Sequence, residues 1–87
     1  MIVKKQDVAE KMVDYLNHKI ELSELVNWAE SVMMEGEFEN AYFEKIRDAI
    51  AQLGLADVRA FGLSWGDCEK ILEQLGYRAS VEVTEIE

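Results

Sequence analysis

NAYFEKIRDAIAQLG, residues 40–54, is the stretch whose reading decides the fold. Tyr42, Phe43, Ile46, Ala49, Ile50 and Leu53 recur at steps of three and four, so one side of a helix is apolar throughout. Asn40 suits the N-cap and Gly54 the stop. A helix with one wide apolar stripe is stable only against other such helices, and the flanking sequence supplies them.

Upstream, Leu22, Leu25, Val26, Ala29 and Met33 share a face, which predicts a helix beginning between Glu21 and Ser23 and ended by Gly36. Before it, Val8, Met12, Tyr15 and Leu16 predict a helix over 8–17, with Asp7 as cap and Glu10 at capping-box spacing; "NHK" breaks the pattern. Downstream, "SWGD" opens a fourth helix with Ser64 as cap, Trp65 turned into the core, a stripe of Cys68, Ile71, Leu72 and Leu75, and Gly76 as its end. "LADVRAF" between the third and fourth reads as a short helical turn. "QLGLADV" and "QLGYRASV" echo one another through shared helix-stop chemistry. The tail "YRASVEVTE" alternates, with Ala79, Val81 and Val83 on one side, and reads as a strand. Its mate would be "MIV" at the N-terminus, residues 55–59 or a second molecule. The expected architecture is mostly α: a four-helix bundle with a short C-terminal β-strand, in a single helical domain over 1–87.

Composition sets bounds on function. Of 87 residues 49% are apolar and 31% charged, which favours folding over disorder, and a compact chain of this length has a radius of gyration of roughly 12 Å. Eighteen acids against nine bases give a net charge of −9. Phosphate backbones and anionic membranes repel such a chain, so neither nucleic acid nor membrane is an expected partner; a basic protein is. One cysteine permits no intrachain disulfide, and no apolar run is long enough for a signal-peptide core or a membrane span. A cytoplasmic protein is the expectation.

No catalytic motif, metal site or cofactor site is expected. His18, the only histidine, falls at the end of the first helix, where a cation suits the macrodipole; paired with Asp14 it still lacks a nucleophile. Cys68 lies on an apolar stripe and reads as an inert core thiol. Carboxylates at 35, 37 and 39 raise calcium, but Gly36 falls second where an EF-hand loop needs glycine sixth. Gly62 and Gly66 around "LSW" do not make a phosphate loop.

The acidic segment carries the functional reading. Residues 20–44 hold seven acids and no base. Glu21, Glu24, Glu37, Glu39 and Glu44 lie at or before helix starts, where negative charge is locally favourable, and Glu44 has Arg47 at pairing distance in sequence. Glu30 and Glu35 lie near the negative end of the second helix, where local stability calls for the opposite sign. Either solubility or a partner accounts for them. At about 100° per residue, Glu24, Trp28, Ser31 and Glu35 form one ridge beside the apolar stripe. Trp28 either anchors an interface or packs under the first helix. The candidate partner-binding residues are Glu24, Trp28, Glu30, Ser31, Glu35, Glu37 and Glu39.

The run "YLNHKIELSELVNWAE", residues 15–30, resembles the opening of small bacterial immunity proteins of the colicin D type: a helix end, a polar break carrying an Ile, then an acidic helix with a spaced aromatic. The resemblance implies a non-enzymatic inhibitor that covers the basic active site of a nuclease toxin, often one that cuts tRNA. The second half of the chain departs from that pattern, and no family binding residue maps onto it, so the candidate residues rest on charge alone. Two other readings stand beside it. One is a self-associating structural or regulatory module, dimerising through the tail strand. The other is an acyl carrier protein, since "ELSELV" is similar to the carrier region around a modified serine, although Asp-Ser-Leu is missing at Ser23.

Overall fold

The architecture follows from where each helix puts its apolar stripe. In a computed structural model that describes residues 2–58, 63–80 and 83–86, β1 is Ile2–Val3, α1 Lys5–Leu16, α2 Leu22–Glu35, β2 Glu37–Phe38, α3 Phe43–Gly54 and α4 Trp65–Gln74. Single 3-10 turns at Asn40–Tyr42 and Ala56–Val58 lead into and out of α3. The chain is mostly helical, and its buried residues form one cluster.

Helix α3 is central, packing on α1, α2 and α4. Its Ile46, Ala49, Ile50 and Leu53 are fully buried, and each large aliphatic side chain contributes about 1.5–3 kcal/mol relative to exposure. Phe43, expected on the same stripe, is 44% exposed because it stands at the first turn, against Phe38 rather than beneath a helix. Helix α2 buries Leu25, Val26, Ala29 and Val32. Val32, not Met33, continues its core stripe. Helix α1 contributes Val8, Ala9 and Met12; α4 contributes Cys68, Ile71 and Leu72, with Leu75 just beyond.

The helix ends show which capping signals the chain uses. Ser64 and Asp67 form a reciprocal capping box: Asp67 N–H donates to Ser64 Oγ and Ser64 N–H to Asp67 Oδ2, both at 3.1 Å. Helix α1 begins three residues before the predicted start. Asp7 is its third residue, not its cap, and its carboxylate accepts from Lys4 N–H at 2.9 Å. The α1 C-terminus closes as a Schellman motif: His18 N–H donates to Tyr15 O and Lys19 N–H to Asp14 O. His18 therefore sits in the left-handed region at φ 61°, where glycine is usual. Among the described residues no Asp14–His18 side-chain bond forms. The end of α4 repeats the motif, with Gly76 at φ 94° and Tyr77 N–H donating to Leu72 O.

The other two expected glycine stops work differently. Gly54 is the last residue of α3, and Gly36 caps α2 in extended backbone, φ −84° and ψ 154°. Gly36 is needed for space. A Cβ there would lie 2.8 Å from Val32 O and 3.2 Å from Val3 Cγ2. The last turn of α2 and the approach of β1 together fill the space: β1 pairs in parallel with β2, Ile2 opposite Glu37 and Val3 opposite Phe38, and Glu39 N–H donates to Val3 O at 2.9 Å.

The expected C-terminal strand is corrected. Residues 77–80 and 83–86 adopt no strand, while 81 and 82 lie outside the described residues. The N-terminal segment that was a candidate mate is paired to β2 instead, and residues 56–58 are a 3-10 turn. Tyr77 and Ala79 pack against the core, whereas Val83 and Ile86 are 90% and 94% exposed. The radius of gyration is 13.1 Å, slightly above that of a compact chain of this length.

Candidate functional site

Burial of one side of α2 fixes what the other side presents. With Leu25, Val26, Ala29 and Val32 inward, Ser23, Glu24, Asn27, Glu30, Ser31, Met34 and Glu35 are all exposed, as helical periodicity requires. The chain then continues through exposed Glu37 and half-buried Glu39 on either side of Phe38. Glu24, Glu30, Ser31, Glu35 and Glu37 are thus all accessible, with Glu24, Ser31 and Glu35 on one ridge and Glu30 about 140° round the helix from Glu35, on the side of α3.

Trp28 departs from that ridge. It is half-buried against the core and shares a shallow recess with Asp7, Glu10, Lys11 and Asp14 of α1. The Lys11 ammonium lies 5.8 Å from the Trp28 ring centroid. Trp28 thus packs against the core while part of its ring stays accessible. Trp65, expected in the core, is 40% exposed at the first turn of α4.

Two further cations among the described residues lie against aromatic rings. Lys5 lies over Tyr42 and Tyr77, 4.4 and 5.3 Å from the ring centroids, and Arg47 is 5.9 Å from that of Phe43. Arg47 also pairs with Asp48 at 3.4 Å, not with Glu44; both side chains are at least half exposed, so the pair contributes only about 0–1 kcal/mol. Among the described residues neither Glu30 nor Glu35 forms an ion pair; Glu35 stands in the last turn of α2, where the macrodipole disfavours negative charge, and Glu30 just before it.

An apolar furrow adjoins this face. Between α2 and α3 it is lined by Ala29, Met33, Met34, Ile50, Ala51 and Leu55, with Glu30 on its rim and Gly54 in its wall. Met33 is 43% exposed, Met34 84% and Leu55 59%. The sequence reading missed this feature: it placed Met33 in the core and drew nothing from Met34. Two adjacent methionines at a helix end, one of them necessarily off the buried stripe, were the available signal.

Nothing near the face suggests metal or nucleophilic chemistry. Among the described residues no group of three or more His, Cys, Asp or Glu side chains is arranged to hold a metal ion. Burial raises the Cys68 thiol above its ordinary pKa, and the Asp67 carboxylate adds to the shift; both oppose thiolate formation. Among the described residues, no helix is long and apolar enough to cross a membrane. Comparison with protein-family models, curated proteins and solved structures finds no match.

Proposed function

We propose that this chain is a non-catalytic cytoplasmic protein that binds a basic protein partner through the outer face of α2 and the acidic segment after it. Its nearest functional type is an immunity protein that neutralises a nuclease toxin. The observation that carries the reading is the pair Glu30 and Glu35: exposed, opposed by the helix dipole, and without an ion pair among the described residues. In this reading the four helices act as a bundle that holds α2 rigid, so its carboxylates meet a partner with little ordering cost. A nuclease cleft is positive because it must hold phosphates, and a rigid row of carboxylates occupies it as a substrate mimic.

The test uses purified catalytic domains of basic, tRNA-cutting toxins. Inhibition of cleavage and affinity are measured at low and physiological salt. The reading expects inhibition that weakens steeply with salt, because charges separated by more than about 8 Å are screened at 0.15 M. Glu30→Lys with Glu35→Lys should abolish it. Salt-insensitive binding, or inhibition unchanged in the double variant, assigns the interface to another surface.

A further inference from the structure

The furrow beside the acidic face has a shape and chemistry of its own. All its lining residues except Leu55 lie in α2 or α3, so the furrow offers no strand edge. An extended peptide would find no free main-chain edge there, so recognition must come from side chains, as when an amphipathic helix lies in a groove. The floor is apolar and methionine-rich, and unbranched thioether side chains adapt to an incoming surface. Met34 stands on the outer stripe of α2, one turn from Glu30 and next to Glu35. Gly54 leaves the wall open, since a Cβ there would meet only Glu30 Cγ, at 3.9 Å.

We infer that the furrow between α2 and α3 receives a basic amphipathic helix of the partner, with apolar residues on Met33, Met34 and Leu55 and a cation on Glu30 at the rim. This inference rests on the acidic-face reading and deepens it by naming the element that docks. Charge selects the occupant. A second copy of this chain would bring a net charge of −9 to the contact and, in a two-fold arrangement, set the two Glu30 rims against one another.

The probe is a synthetic 18-residue peptide of leucine and lysine at helical spacing, of about 27 Å when helical. Its control has the same lysines with serine for leucine. Affinity is followed together with the methyl NMR signals of the methionines, Met12 being a buried reference. The amphipathic peptide should bind at least about tenfold more tightly than the control and shift Met33 and Met34 but not Met12. Met34→Gln with Leu55→Gln, both at exposed positions, should remove about tenfold in affinity while leaving the salt dependence intact. Glu30→Lys with Glu35→Lys should flatten the salt dependence. If the glutamine variant binds as well as the parent while the lysine variant does not, the acidic face stands and the furrow is overturned. Equal binding of the two peptides also overturns the furrow. Binding by the parent that neither variant alters overturns both readings.

Discussion

Replacing Gly36 by alanine tests the tightest of the described glycine positions. Backbone conformation alone would favour the change: φ −84° and ψ 154° suit alanine, and loss of unfolded-state freedom alone would stabilise by about 0.4–1 kcal/mol. Space opposes it. The new methyl would sit 2.8 Å from Val32 O, which already accepts from Gly36 N–H, and 3.2 Å from both Val3 Cγ2 and Val32 Cγ1. Val3 is fully buried and held by its pairing to β2, so the methyl moves either the last turn of α2 or β1. Overpacking of this kind costs about 1–3 kcal/mol. The net expectation is a loss of about 1–2 kcal/mol, which lowers Tm by roughly 5–10 °C in a domain of this size. Urea denaturation followed by tryptophan fluorescence measures the loss, and hydrogen exchange at the Glu39 amide, bonded to Val3 O, reports release of β1. Gly66→Ala is the control: its Cβ would meet only Ser64 Oγ, at 3.8 Å, and the change should be neutral or stabilising. A stabilising Gly36→Ala would falsify the close-approach account; a loss of stability with Glu39 exchange unchanged would place the displacement in the last turn of α2 and not in β1.

The remaining predictions concern helix ends and the buried thiol. Gly76→Ala places a Cβ at φ 94° and should cost about 1–2 kcal/mol in chemical denaturation, whereas His18→Gly relieves a left-handed residue and should stabilise by up to about 1 kcal/mol. Ser64→Ala removes the α4 cap and should cost about 0.5–2 kcal/mol; an unchanged midpoint would mean that water replaces the hydroxyl. Cys68 should resist thiol reagents in the native state near neutral pH and react fully in denaturant. Because the folded thiol holds its proton to higher pH than the unfolded one, the associated stability is intact below the unfolded pKa. It declines as pH rises through the alkaline range, so the urea midpoint should fall there and recover in Cys68→Ala.

Much of the helical layout was legible because burial on one face writes a period into the sequence. The α3 stripe, the α4 capping box and the Gly76 stop are local arrangements within a turn or two of chain, and each was readable from residue types at fixed spacing. The expected role of Gly36 was wrong in kind. A glycine required by left-handed backbone and one required by a neighbour's approach look identical in sequence; here Gly76 is the first and Gly36 the second. The β1–β2 pair was invisible for a related reason. Two residues have no period, and parallel pairing joins Val3 to Phe38 across two intervening helices. The C-terminal alternation gave a strand signal, but the described parts of that tail find no mate.

The candidate face divides in the same way. The sequence by itself determined that α2 is acidic along its outer side, that two of its glutamates oppose the helix dipole, and that the chain as a whole repels phosphate. Charge and helical period are properties of residue order. Only the tertiary structure decided that Trp28 turns toward α1, that Lys5, Lys11 and Arg47 stand over aromatic rings instead of neutralising Glu30 and Glu35, and that Met33, Met34 and Leu55 stay open beside Ile50 and Ala51. Those outcomes depend on which helix packs against which, a choice made by long-range burial that no local spacing records.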